Sequence, residues 1–479
     1  MKKKIIYFSI EIKVREYLGS LLLAVYALSR NFSVIIGSKN KILNLIKKKN
    51  KGGIFFYKAG IHKNFLQDIK KKTDVHAVID QEILPGLNKN LYKKIIPQSF
   101  HKEVLDHIDY YFACNEDIFK AAKISLPNVS VKNTGLPKFD ILKPKYKEIF
   151  ELQKRKIQKK HGKFILFNSD LFYVSKYHKQ QATEYVSWGI KNEKSKKIFL
   201  KNSAMESIKR YKEFNIIANF FKSIDNKIDV KIIIRPHPAE SIVDWQNKIK
   251  NCKNIIIEPA TFDVHPWILA SEGVLHRGCS TAFQSLLCKK PTGYLALGDR
   301  KTIEENHLKD YHFKKILYEG SFKISNIEDL NYFIKNRPLP NKYFRKKIIY
   351  HLGQSEVDAS KKIVEILSQK TVIREDFSKK IYLNYFFKGK IKIKLIQIIY
   401  KLNNIKHLLF KNLIIFFTKI NLINKNINKY YMTPKIPYGI SKLETEMYLK
   451  ILNKIINKKK ISRIYCSQLD QDLVLIEKK

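Results

Sequence analysis

Short apolar runs and amphipathic stretches take turns along most of this chain, and that rhythm leaves few folds open. In the first 160 residues "KIIYFSI" is followed by the helical "SLLLAVYALSRN", then "SVIIG", the polar helix "KILNLIKKK", and later "GIFFYKAG", "VHAVID", "YYFAC" and "VSVKNTG". A second series opens near Lys163 with "KFILFNS" and a long helix, "SAMESIKRYKEFNIIANFFKSI". It continues through the strands "VKIIIRP", "NIIIEP", "GVLH" and "TGYLAL", with the helices "SIVDWQNKIK" and "TAFQSLL" between them. Strand and helix in alternation predict parallel, doubly wound sheets. A chain of 479 residues has room for two such domains and a further segment. The expected division is 1–160, 161–370 and a C-terminal extension, 371–479. Two α/β domains in tandem leave a cleft, and ligands of such sheets sit beyond the carboxyl ends of the strands.

Strand ends are therefore where chemistry is sought, and "IIIRPHPAES" (232–241) is one of them. Pro236 and Pro238 cannot donate to a sheet ladder, so the strand must stop near Arg235. His237 then stands on a stiff tip, with Ser241 and Asp244 spaced as N-cap and N3 of a following helix. A guanidinium and an imidazole there suit a phosphate or a carboxylate. Taken alone, His237 reads equally as a loop histidine bonded to backbone.

A second strand end is "GVLHRGCSTAFQSLL" (273–287). The strand closes at His276, Gly278 permits a tight turn, and Ser280 and Thr281 open a helix. Hydroxyls and free N–H groups at a helix start suit an anion, although an ordinary capped helix needs one of the two hydroxyls as well. Two histidine-bearing strand tips in one domain strengthen each other.

Lys and Arg total 92 against 43 Asp and Glu, a formal charge of +49. Such a charge draws polyanions, whether nucleic acid, anionic lipid or phosphorylated substrates. The abundance of Lys, Ile, Asn and Phe also fits an AT-rich coding bias. No zinc finger, RNP-like motif or helix-turn-helix accompanies the charge, so no nucleic-acid partner is expected. The five cysteines lie far apart without a CxxC pair, which argues for a reducing compartment. No run reaches the roughly 18 apolar residues of a membrane span, and "MKKKIIYFSIEIK" reads as a first strand. The expected location is cytoplasmic, with peripheral contact to the inner face of the cytoplasmic membrane open.

The stretch 377–443 has 14 lysines and no acidic residue. Apolar residues from Leu395 to Ile423 recur within it at three- and four-residue spacing, which describes a basic amphipathic helix. It reads as a membrane-surface helix facing anionic lipid or as one packed on the protein. Ser441 and Glu444 are spaced as a capping box for a helix beyond it.

With these stretches in view, "RPHPAES", "VHPWILAS", "HRGCST" and "KKPTGYL" resemble the C-terminal domain of bacterial surface carbohydrate biosynthesis proteins. That group is similar to capsule Kdo-transferase-like and CDP-glycerol-transferase-like enzymes of the two-domain GT-B architecture. "IEIKVREYLGSLLLA", "VIIGSK", "IDQEILPG", "TGLPKFDIL" and "KIPYGIS" resemble the family's other landmarks. The resemblance implies two Rossmann-like domains facing across a cleft. It also implies a glycosyltransferase that moves a sugar from a CMP-, UDP- or CDP-linked donor to a growing surface polysaccharide, as in capsule or lipopolysaccharide, or to a lipid-linked glycan. Arg235, His237 and Glu240 would line the donor nucleotide pocket, and His276, Ser280 and Thr281 would hold its phosphates. Gln284 stands where many GT-B enzymes have a glutamate, and "DQE" at 80–82 is less acidic than the pattern.

Transfer needs a base for the acceptor hydroxyl, and the N-terminal domain offers Glu11, Glu16, Asp80 and Glu82 near strand ends. Each also reads as a surface carboxylate paired with one of many lysines. Neither a DxD-like motif nor a convincing His/Asp/Glu cluster occurs, so no metal and no cofactor beyond the nucleotide-sugar substrate is expected. The competing readings are a GT-B sugar-nucleotide epimerase, a polyol-phosphate transferase and, more distantly, a non-enzymatic nucleic-acid binder.

Overall fold

The structure is a computed structural model, and it describes residues 4–48, 51–58, 63–80, 90, 92–93, 96, 102–171, 193–237, 240–259, 263–298, 312–373, 439–457, 464–470 and 472–478. The chain divides into two compact units, one of Met1–Ile149 with Tyr350–Lys479 and one of Phe150–Ile349. Each is built on a sheet with the alternation expected from sequence.

In the first unit the strands are β1 (Lys4–Ile10), β2 (Phe32–Ser38), β3 (Ile54–Lys58), β4 (Val75–Ile79), β5 (Tyr110–Ala113) and β6 (Ser130–Asn133). The second unit contributes β7 (Phe164–Asn168), β8 (Lys231–Arg235), β9 (Ile255–Ile257), β10 (Gly273–His276), β11 (Thr292–Leu295) and β12 (Phe322–Ile324). Two late strands, β13 (Ile464–Asp470) and β14 (Leu473–Lys478), return to the first.

The second unit's sheet runs β12-β11-β10-β7-β8-β9, with every pairing parallel. Numbered from its own first strand, that is 6-5-4-1-2-3, the Rossmann order, whose switch point lies between its strands 1 and 4. The strands read as unbroken apolar runs because both faces are covered. Ile165 and Phe167 of β7 and Ile232 and Ile234 of β8 join the core under Phe214, Phe221 and Trp245. Phe164, Leu166 and Ile233 point the other way, against Trp267 and Ile268. Phe221 meets Phe167 of β7 edge-on with ring centroids 5.0 Å apart, and Phe214 meets Trp245 of the next helix at 4.7 Å, so the long helix Glu193–Ile224 is keyed to the sheet by aromatic packing.

The first unit's sheet runs β13-β14-β2-β1-β3-β4-β5-β6. Its parallel part has the order 2-1-3-4-5-6, which puts its switch point between β1 and β3. β14 lies antiparallel beside β2, from Leu473 opposite Gly37 to Ile476 opposite Val34. A Cβ on Gly37 would come within 2.5 Å of the Asp472 carbonyl, so this edge accepts its late partner only because residue 37 is glycine.

The expected boundaries at 160 and 370 are therefore corrected: the described part of 371–479 is no separate extension. Lys13 Nζ donates to the Gly439 carbonyl at 2.6 Å and to Glu444 at 2.5 Å, and the Tyr17 and Thr445 hydroxyls share a hydrogen bond of 2.7 Å. These bonds fasten the helix Lys442–Ile456 to the helix Lys13–Ser29. Ser441 Oγ accepts from Glu444 N, as the capping spacing predicted, but the Glu444 carboxylate is spent on Lys13 instead of returning to the cap. The amphipathic helix read between Leu395 and Ile423 lies outside the described residues, as does most of 377–443.

Residues 350–373 are also tied to the first unit. Gly353 has φ +61°, and a Cβ there would overlap the Cys114 carbonyl at 1.6 Å. Nearby, the wholly buried Asp358 carboxylate takes Lys143 at 2.7 Å, Lys145 at 2.8 Å and Tyr26 at 2.7 Å, together with the Tyr146 hydroxyl. Burial alone would raise its pKa. The lysine and tyrosine donors outweigh that and hold it down at about 2. Asp358→Ala removes the buried acceptor that Tyr26, Tyr146, Lys143 and Lys145 share and leaves Lys143 with Asp140 alone, so the first unit should lose about 3–5 kcal/mol in urea unfolding. The contribution of Asp358 should persist at every pH above the ordinary carboxylate range and fade only as pH falls toward about 2.

Candidate functional site

The switch point of the second unit is built from the ends of β7, β8, β10 and β11. Asn168, the last residue of β7, lies opposite Arg235, the last of β8, and Ser169 N donates to the Arg235 carbonyl at 3.1 Å. Arg235 is buried, its guanidinium over the Trp267 ring at 5.3 Å. Burial lowers its pKa to about 10, with the charges of Asp263 and Glu258 opposing the drop, so it stays cationic at neutral pH. Pro236 is buried and ends the strand, and His237 beyond it is half-buried. Glu240 N donates to the His237 carbonyl at 2.7 Å, and Ser241 Oγ caps the next helix through Asp244 N at 3.2 Å, as the spacing predicted.

Glu240 turns back over this strand end. Its Oε2 accepts from Trp245 Nε1 at 2.8 Å, while Oε1 is buried without a hydrogen-bond partner among the described residues. Burial pushes its carboxyl up to about 7, against the pull of Trp245 and Ser169. Asp170, just past β7, adds to that rise, and its own Oδ1 is likewise buried and unpartnered.

His276 is placed differently from expectation. It is wholly buried, with Nε2 2.9 Å from Ser321 Oγ and Nδ1 accepting from Gly278 N at 3.0 Å. Burial, reinforced by Lys323, lowers its pKa to about 3, so the ring is neutral. With both nitrogens engaged, His276 shapes the turn after β10 and does not reach toward a phosphate. Ser280 is exposed, and the half-buried Thr281 shares a 3.1 Å contact with Cys279 Sγ. The helix behind them is six residues long, and Thr281 makes no capping bond to it. Gln284 lies beside His265.

Sequence reading missed the residue next to His276. Arg277 is buried and donates from one nitrogen to the Leu295 and Leu297 carbonyls, at 2.5 and 3.0 Å, tying the ends of β10 and β11 together. Its Nε lies 3.8 Å from Glu213 on the long helix, which in turn meets Arg210 at 3.8 Å, and Arg210 reaches Asp170 at 4.0 Å. Asn168 Nδ2, Arg277 Nε and the Tyr294 hydroxyl are further buried polar atoms without a hydrogen-bond partner among the described residues. Unpartnered donors and acceptors gathered at a Rossmann switch point are what a polar ligand would satisfy. The sequence signal was "FILFNSD" and "HRG", strand ends carrying an acid and an arginine.

The first unit has its own cluster at the β1–β3 switch point. Glu16, buried in the first turn of the helix Lys13–Ser29, accepts from Glu11 N at 2.7 Å. Lys58 at the end of β3 lies 3.5 Å from Glu11 and 4.0 Å from Glu16, and Lys39 lies 3.9 Å from Glu11. Burial raises the Glu16 carboxyl, with Lys58 opposing. Asp80, buried at the end of β4, acts with Glu16 on Lys138, whose pKa burial lowers to about 8. The structure thus brings Glu11, Glu16 and Asp80 into one neighbourhood with Lys58 and Lys138, neither lysine having been singled out from sequence. Glu82 lies outside the described residues. Among the described residues no three His, Cys, Asp or Glu side chains group as a metal site would require.

Glu240 and Asp263, the latter pushed up to about 6 by burial, both have folded pKa values above the ordinary 4.5 and 3.8. These two carboxyls therefore hold more protons in the folded chain than in the unfolded one between about pH 4 and 7, and their own contribution to stability falls as pH rises through that window, whereas the buried neutral His265 and His276 contribute in the opposite sense. Glu240→Gln keeps an acceptor for Trp245 and should flatten the upper part of this decline, read as urea midpoints between about pH 5 and 8.

Neither a family model nor a curated protein matches the chain. Solved structures similar to it include the wall teichoic acid polymerase TagF, at 13% identity over 76% of this chain and 88% of that one, with a TM-score of 0.44. The UDP-GlcNAc 2-epimerase from Neisseria meningitidis bound to UDP-GlcNAc is similar at 13% identity over 77% of this chain and all of that one, TM-score 0.42. The S. aureus MnaA–UDP structure is similar at 14% identity over 79% and 100%, TM-score 0.40.

Proposed function

We propose that this protein is a metal-independent glycosyltransferase, cytoplasmic, that moves a sugar from a nucleotide-activated donor to a surface polysaccharide or lipid-linked glycan. The observation that carries the reading is the Rossmann strand order of the second unit, whose switch point gathers Asn168, Asp170, Arg235, Glu240, Arg277 and Tyr294. Arg235 supplies the fixed positive charge and His237 a donor on a stiff backbone. Glu240 and Asp170 are acceptors, suited to hydroxyl or amino groups of the ligand rather than to its phosphates. His276 and Arg277 hold the strand ends in register behind them.

In this reading the acceptor hydroxyl oxygen attacks the anomeric carbon and the bond to the donor phosphate breaks. The nucleotide leaves with the bonding electrons, and a carboxylate removes the acceptor proton. Glu11 is the better base of the first unit's cluster. It is more exposed than Glu16, whose carboxylate already holds the Glu11 backbone N–H. Lys58 lies beside it at 3.5 Å.

Two measurements test the proposal. Calorimetric titration with CMP, CDP and UDP should show binding of one of them, weakened roughly tenfold by His237→Ala through loss of one hydrogen bond. With donor and acceptor supplied, Glu11→Gln should lower kcat by roughly 10²–10⁴-fold and leave nucleotide affinity unchanged. Failure of all three nucleotides to bind overturns the reading, and isomerisation of a sugar nucleotide without any acceptor replaces transfer by epimerisation.

A further inference from the structure

The long helix Glu193–Ile224 has two faces of opposite destination. One carries Phe214, Ile217, Ala218, Phe221 and Ile224 into the core of the second unit. The other should be polar, as a surface helix over a covered sheet ordinarily is. Instead Met205 is 52% exposed, Ile208 59%, Tyr211 50% and Ile216 41%. Single exposed apolar residues need no explanation. At about 100° per residue, however, these four fall within an arc of about 140°. Exposed lysines, Lys197, Lys201 and Lys212, fall within the same arc. Among the described side chains of that face, no carboxylate follows Glu193. The stripe from Lys197 to Ile216 covers about 29 Å of helix axis.

We infer that this face of the helix Glu193–Ile224 docks on an anionic lipid bilayer. Apolar side chains and lysines interleaved at helical spacing are what a helix lying in the headgroup region presents. The apolar groups enter the acyl boundary, and the lysine stems cover apolar surface while their ammonium groups stay with the lipid phosphates. Anionic headgroups answer both components of the stripe at once. A second copy of the chain fits poorly, because each copy has a formal charge of +49. No described helix is long and apolar enough to cross a membrane, so the contact is lateral. The inference does not depend on what the switch point of this unit binds.

The test uses the full chain with vesicles of phosphatidylcholine alone or mixed with phosphatidylglycerol. Binding is expected only to the anionic vesicles. Met205→Glu with Ile208→Glu should weaken it roughly tenfold, through lost apolar insertion and two added like charges. Both positions are more than half exposed, and an unchanged melting temperature confirms that the variant folds. A local readout separates this face from any other contact. In Tyr211→Trp, the added tryptophan emission should be quenched by brominated phosphatidylglycerol. Vesicle binding that the double substitution leaves unchanged, or an unquenched added tryptophan on vesicle-bound protein, overturns the inference. Protection of that tryptophan by polyglutamate in place of vesicles would assign the face to an acidic protein instead.

Discussion

A parallel strand covered on both faces can offer chemistry only at its ends. In the second unit every side chain of β7 from Phe164 to Phe167 is committed to one core or the other, Phe167 to the Trp245 side and Leu166 to the Trp267 side. Polar groups are then confined to the last residue of each strand and the few that follow. Asn168, Arg235 and Arg277 stand together because three buried strands end side by side, and the strand order decides which ends are neighbours. Each charge brought to such a place must be balanced there, Arg235 by the Trp267 ring and Asp263, and Arg277 by two carbonyls and Glu213.

The first unit meets the same constraint with different chemistry. Its switch point carries carboxylates and lysines in place of arginines, and the pairs sit 3.5–4.0 Å apart. Burial there raises the Glu16 carboxyl, and the Lys58 charge beside it opposes the rise.

Much of this was legible in the chain. The runs "FILFN" and "KIIIR" announced strands buried on both faces, and the two prolines after Arg235 marked where the second had to stop. The histidines were harder. His237 and His276 look alike in sequence, each at the end of an apolar run, yet His276 is consumed by Ser321, 45 residues further on. Local pattern carries no information about such a partner. The same limit explains the misplaced boundary at 370. Nothing near "LVLIEK" shows that its ladder partner is β2, and Gly37 reveals its purpose only once Asp472 is seen against it.

That last pairing has a consequence for how the chain is made. Between Ser38, which closes β2, and Leu473, which opens β14, the ribosome must add more than 430 residues. At about 5–20 residues per second this takes roughly 20–90 s. Through that interval the edge of β2 emerges without its neighbour, whereas Phe150–Ile349 is one uninterrupted stretch and can collapse as soon as it leaves the tunnel. Synthesis therefore favours an order in which the later half of the pattern folds first and the earlier half waits. During the wait, "FSVIIGS" can pair with β1 on one side only, and its other edge is open to chaperones and to neighbouring nascent chains.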